Sequence, residues 1–276
     1  MTTGFAAWVE RDVVRVAGPD AATFLQGQVS QDVEAMSVGT SKWSLVLAPT
    51  GRVDAWFRVT REGDDEFHLD VDRGLGEALI ARLNRFKLRT KCDVDAVNGW
   101  RCLAIRGTTV EHPRARPIVW PGTVGVDLLG PGIEAPAGLA VDADISRLEV
   151  ARIRAGVPAM GHELTEATIP AEAGQWLIDV SVSFTKGCFT GQELVARMDA
   201  RGGSAPHPIC GLRVSGPAEV GMLVVARGGR ELGRITSAAA DGGATIGLAP
   251  LPRATVVGEE VTVGGASAAV VELPMR

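Results

Sequence analysis

Tyrosine is absent from this chain, and aromatic residues fill only 5% of its 276 positions. Neither Trp nor Phe occurs after Phe189, so the last part of the chain must build an aliphatic core and offers no rings on which nucleic-acid bases could stack. A basic excess is missing as well: 28 Lys and Arg face 33 Asp and Glu, for a net charge of -5. That balance argues against general binding of nucleic acid or of an anionic membrane surface. The basic run from Arg82 to Lys91 alternates with apolar residues and reads as a solvated helix face. The four cysteines, at 92, 102, 188 and 210, form no C-x-x-C pair and no His/Cys cluster with zinc spacing, so no permanently bound metal is expected. His68, His112, His162 and His207 are scattered and fit no hydrolytic triad. Apolar runs fall short of the ~18 residues a spanning helix needs. Glu10-Arg11-Asp12 breaks the first apolar stretch too early for a secretory signal. The expectation is a cytoplasmic protein with free thiols and no membrane partner. Its length suffices to bury roughly three quarters of the unfolded surface without covalent staples.

Three textures follow one another. Up to about residue 105, strands and helices mix: DVVRVAG reads as a strand, Asp20 is placed to cap the amphipathic AATFLQGQVSQDV, WSLVLAPTGRVDAWFRV reads as a hairpin, and GLGEALIARLNRFK as a second helix. From 106 to about 143, prolines and glycines separate short apolar pairs such as Ile118-Val119 and Leu128-Leu129, a pattern of short strands and turns. DISRLEVARIRAGVPAMG then predicts a helix that Gly156 ends and Pro158 keeps from resuming. RGGSAPHP, from 201 to 208, marks a boundary. Beyond it, six short glycine-separated segments suggest a small antiparallel barrel.

The chemistry concentrates in SFTKGCFTGQELVAR, from Ser183 to Arg197. Thr190 and Glu193 have capping-box spacing ahead of a helix whose apolar face is Leu194, Val195 and Met198. Cys188 then stands just before a helix N-terminus and two residues after Lys186, and both the free helix amides and the ammonium favour a thiolate. Gly187 and Gly191 suit a tight turn, and Gln192 and Glu193 suit helix capping. The other cysteines read as packing residues.

At KGCFTGQE the chain resembles the YgfZ family, tetrahydrofolate-binding-fold proteins of iron-sulfur cluster assembly and repair, related to the aminomethyltransferase of the glycine cleavage system. AGPDAATFLQGQVSQDV, APTGRV and RIRAGVPAMGHELTEATIPAEAG extend the resemblance along nearly the whole chain. It implies an α+β fold: a ring-like body over 1–204, of two intertwined subdomains around a folate-sized cavity, and a C-terminal β-barrel over 205–276. It further implies an accessory factor that binds tetrahydrofolate or a derivative and works with iron-sulfur carriers or client enzymes. Cys188 would be the reactive group or a transient cluster contact, with Lys186, Gly187, Gly191, Gln192 and Glu193 around it. Asp127, in WPGTVGVDLLG, stands where the relatives hold the pterin ring, and a carboxylate there can accept two parallel hydrogen bonds. Arg152 matches a cavity-facing position. Trp56 can line the pterin site or fill the core. Where the aminomethyltransferases carry paired aspartates this chain reads Ala55-Trp56, which argues against turnover, with Asp54 the nearest carboxylate. The alternative is a tetrahydrofolate-dependent one-carbon transferase or demethylase using Asp54 or Asp127 as proton acceptor. A folate-binding module in which Cys188 is only a turn residue is the third reading.

Overall fold

The computed structural model describes residues 4–200 and 205–276, apart from the side chains of 199 and 200. The body opens with β1 (Phe5–Val9), β2 (Arg11–Ala17) and α1 (Ala21–Gln28). The hairpin β3 (Ser41–Leu47) and β4 (Val53–Gly63) leads into β5 (Glu66–Asp72) and α2 (Gly76–Phe86). After β6 (Asp93–Val97), β7 (Arg101–Arg106), β8 (Ala115–Pro117) and β9 (Gly125–Gly130) come α3 (Ser146–Ala155), α4 (Gln175–Ser181) and α5 (Gln192–Ala200). The last part of the chain is all strand: β10 (Ile209–Val214), β11 (Leu223–Ala226), β12 (Glu231–Arg234), β13 (Ser237–Asp241), β14 (Ala244–Pro250), β15 (Glu260–Val263) and β16 (Ala266–Val271).

Two antiparallel sheets share the body, and the chain interleaves them. Strands β3-β4-β5-β2-β6 form one, and β1-β7-β9-β8 the other, so neighbours β1 and β2 belong to different sheets. Strands β3 and β4 are nearly continuously buried because both faces of their sheet are covered. Successive side chains alternate between those faces. Val46, Ala55, Phe57 and Val59 pack with Phe24 and Leu25 of α1 and Leu79 and Leu83 of α2. Trp43, Leu45, Leu47 and Trp56 face the other way, toward Leu177 and Ile178 of α4. The alternation sends Arg58 to the Trp56 side, which puts a guanidinium inside the protein at 1% exposure.

The seven C-terminal strands form one sheet, ordered β12-β11-β15-β16-β10-β14-β13. It is the small antiparallel barrel expected, curled around an aliphatic core of Leu212, Val214, Val224, Val261 and Val263, with its ladder open between β12 and β13. The ELGRITSAA segment supplies two of its strands, β12 and β13. The division at 204/205 and the end expected for α5 near 201–203 fall outside the described residues.

Helix α3 ends as expected, at Gly156 with φ of 71°. Asp20 does not cap α1: its carboxylate accepts from Lys91 N at 2.7 Å, and the helix stops at Gln28, five residues short of the segment read as helical. The barrel docks on α3 and the loop after it. Arg154 forms a forked pair with Asp241, and Ile153 packs against Ile246 and Leu248. Glu163, fully buried, accepts from Thr236 Oγ1 at 2.5 Å and Ser237 Oγ at 2.7 Å and faces Arg152 at 3.4 Å. Removing that carboxylate leaves the Ser237 hydroxyl, the Ala159 amide and a guanidinium short of an acceptor. Glu163→Ala is therefore expected to lower unfolding free energy by about 3–5 kcal/mol in urea titration.

Candidate functional site

A cavity of about 740 Å³ opens between the body sheets, α3 and the loop that follows it. That size, and a lining that sets tryptophans among charged side chains, suit a small ligand with both apolar and polar faces. Trp8, Trp43, Trp56 and Trp120, four of the six tryptophans in the chain, line it. Trp43 stacks on Trp56 with centroids 4.3 Å apart. Trp56 donates through Nε1 to Ser181 Oγ at 2.9 Å, whereas Trp43 Nε1 is buried with no acceptor. Trp56 thus serves the core and the cavity wall at once.

Asp127 stands on β9 in the cavity wall. Its Oδ1 accepts from Arg106 at 2.8 Å and its Oδ2 from Arg58 at 3.0 Å. Burial opposes its ionisation, but the Arg106 and Arg58 guanidiniums outweigh that and hold the carboxyl below the usual carboxylate range. Arg58 forks onto Asp70 at 2.9 and 3.1 Å, and Arg11 pairs with both Asp70 and Asp72. The result is an alternating chain, Asp72-Arg11-Asp70-Arg58-Asp127-Arg106, that crosses from the five-stranded to the four-stranded sheet. Sequence reading found only Asp127 in it. The available signal was a charged residue inside an apolar strand, Arg58 in AWFRV and Arg106 in CLAIRG, since arginine is seldom fully buried unless paired.

Arg152 lines the same cavity, but its donors are spent on structure: Glu149, Val157 O, Glu163 and Ser237 Oγ accept them. The guanidinium ties α3 to the barrel. Asp54 is not in the cavity wall but pairs with Arg82 at 2.8 Å, and of the Ala55-Trp56 pair only Trp56 lines the cavity. Cys102 also lines the cavity, where burial and the Asp127 charge push its thiol well up and keep it protonated.

Cys188 is not among the cavity-lining residues. It is the exposed member of the four cysteines and sits in a loop strapped across the end of α1. Lys186 donates to three carbonyls, Gln26 O at 2.6 Å, Val29 O at 2.7 Å and Gln31 O at 3.0 Å. Burial draws its pKa down to about 8 against the pull of Asp32 and Glu34. Its ammonium anchors the loop two residues before Cys188.

Gly191, with φ of 81°, presses on the β3–β4 turn so closely that a Cβ would lie 2.5 Å from Ala48 O. Gly51 in that turn has φ of 80° and would meet Leu194 at 2.4 Å. Gly187 has open space around it and no such requirement. The capping interaction is also displaced by one residue from the expected Thr190–Glu193 box. Gln192 Oε1 accepts from Phe189 N at 3.1 Å, while Glu193 is exposed and pairs with Arg197. Lys186, Gly191 and Gln192 therefore shape the loop that presents the sulfur, and Glu193 stands outside that framework.

No protein-family model matches the chain. Among solved structures, the glycine cleavage system aminomethyltransferase T of Bartonella henselae superposes with a TM-score of 0.80 at 19% identity, over 99% of this chain and 86% of that one. An uncharacterized protein of Haemophilus influenzae is 27% identical over 247 residues, 85% of this chain and 84% of its own. A mitochondrial iron-sulfur cluster assembly factor IBA57 homologue of Pyricularia oryzae is 31% identical over 225 residues, 73% of this chain and 55% of its own. The chain has the fold of that aminomethyltransferase and is similar to YgfZ-type and iron-sulfur cluster assembly proteins. It spans little more than half the length of that fungal factor, and the YgfZ-type resemblance read from KGCFTGQE is borne out with the fold.

Two outcomes follow from the geometry of the site. Lys186→Met removes three hydrogen bonds from a cation and should speed amide hydrogen exchange across 183–191 by an amount worth at least about 2 kcal/mol of local opening, read by mass spectrometry. Asp127 gives stability that is complete above the ordinary carboxylate pKa and is lost as pH falls through its lower folded value. In Arg58→Met that depression shrinks, so the acid-unfolding midpoint followed by circular dichroism should move to higher pH.

Proposed function

We propose that this protein is a folate-binding accessory factor for the assembly or repair of iron-sulfur clusters, with Cys188 as its reactive group. The observation that carries the reading is the presentation of Cys188. Of four thiols, the exposed one is mounted on a loop fixed by a half-buried lysine and two facing glycines. The naming of relatives as iron-sulfur cluster assembly factors supports a cluster as the cargo. Among the described residues no group of three or more His, Cys, Asp and Glu could hold a metal ion. A cluster normally takes four protein ligands, so Cys188 would contact one only together with a carrier or client protein.

The tryptophan-walled cavity fits a planar heterocycle. The two lone-pair positions left on Asp127 are among the polar groups a pterin would meet. Tetrahydrofolate or a derivative is the proposed ligand, and the cytoplasm the proposed compartment. No helix among the described residues is long and apolar enough to cross a membrane. The transferase alternative draws no support from Asp54, whose carboxylate is held by Arg82 outside the cavity.

The test pairs calorimetry with rescue of a strain lacking the protein. Wild type should bind tetrahydrofolate and restore iron-sulfur enzyme activity. Cys188→Ser should keep binding and fold yet lose most of the rescue, on the order of tenfold or more on the logic of a deleted reactive group. Equal rescue by the serine variant would remove the sulfur from the function, and absent tetrahydrofolate binding by wild type would remove the folate.

A further inference from the structure

Arg106 is fixed on one side and unused on the other. Its Nη1 donates to Asp127 Oδ1 at 2.8 Å, to Ile105 O at 2.9 Å and to Val126 O at 3.3 Å. The guanidinium lies over the Trp120 ring, 4.1 Å from its centroid, and the side chain is only 4% exposed. Nε is buried with no acceptor, and among the described residues none accepts from Nη2. A buried donor left unsatisfied is destabilising, so this edge gains whenever an acceptor atom reaches it. Arg106 lines the cavity next to Asp127.

Together the two residues offer a carboxylate acceptor beside a guanidinium donor. The complement of that pair is a ring N–H adjacent to a ring carbonyl, the lactam edge of an oxo-heterocycle. A 4-oxopterin carries this edge, with its 2-amino group beside it. We propose that Arg106 is a specificity-determining residue that donates to the lactam oxygen of the ligand while Asp127 accepts from the neighbouring N–H. The proposal rests on the folate reading of the cavity and narrows it: the site selects 4-oxo over 4-amino pteridines. In a 4-amino ring an N–H donor would face the Arg106 donors, and both sides would lose a partner.

The experiment compares folic acid with 4-amino-4-deoxyfolic acid, in which an amino group replaces the lactam oxygen and the neighbouring ring nitrogen carries no hydrogen, by calorimetry on the full chain. Wild type should bind folic acid at least about tenfold more tightly, the scale of one hydrogen bond to a charged group. Arg106→Lys keeps a cation beside Asp127 but lacks the Nε/Nη2 edge, and the preference should fall by at least about threefold, leaving the part that the ring N–H contributes through Asp127. Circular dichroism checks that the variant is folded, and the wild-type ratio tests the proposal even if it is not. Folic acid binding with a wild-type ratio near one, or a ratio unchanged in folded Arg106→Lys, overturns the role of Arg106 and leaves the folate reading standing. Binding of neither compound by wild type overturns both.

Discussion

The alternating chain of three aspartates and three arginines is the constraint around which the body is arranged. Taking one unpaired charge out of water costs several kcal/mol, so each buried member needs its neighbours in place before it can be buried at all. Arg11 faces Asp72 across β2 and β5, and Arg58 faces Asp70 across β4 and β5, so the sheet register is also the ion-pair register. The step from Arg58 to Asp127 then joins the five-stranded sheet to the four-stranded one. Three positive and three negative charges neutralise one another, which lets the network sit in the cavity wall without drawing in counter-ions. Shifting either sheet by one residue would turn these groups to the opposite face and leave charges stranded.

The cavity and Cys188 are separate places connected by one short stretch of chain. Trp56, in the cavity wall, donates to Ser181 Oγ, and Ser30 Oγ donates to Ser181 O at 2.7 Å. Ser183 N donates to Ser30 O at 3.0 Å, and Lys186 holds the carbonyls of Val29 and Gln31 on either side. Residues 29–31 thus lie between the aromatic wall and the cysteine loop and touch both. A folate-dependent thiol function would not require Cys188 to reach the ligand, because the same three residues bear on both.

Local signals carried far into this fold and stopped where partners come from distant strands. The hairpin, α2, α3 with its Gly156 terminus and the glycine-punctuated barrel were legible because their causes are local: alternation, amphipathic spacing and left-handed glycine conformations. KGCFTGQE identified the cysteine loop for the same reason. Lys186 was legible as a charge near a thiol but not as a cap on three carbonyls about 160 residues earlier, since that depends on where α1 ends. The displaced cap shows the limit at small scale: Gln192 and Glu193 both suit it, and the Arg197 partner one helical turn along takes Glu193 away. Arg152 looked ligand-directed until the barrel supplied Ser237 and the following loop supplied Glu163.

Asp127 illustrates how a residue can be both structural and available. An ionised carboxylate has about four lone-pair directions, and the two guanidiniums occupy one on each oxygen. The same cations that bind it keep it deprotonated, so it remains an acceptor through the neutral range. They also fix its orientation, which a shorter side chain than glutamate needs if it is to meet a ring at a set distance. Holding an acceptor rigid before the ligand arrives reduces the ordering cost of binding. The buried ion chain and the proposed recognition of a heterocycle therefore make one demand on the sequence: charged residues at alternate positions in strands that are otherwise apolar.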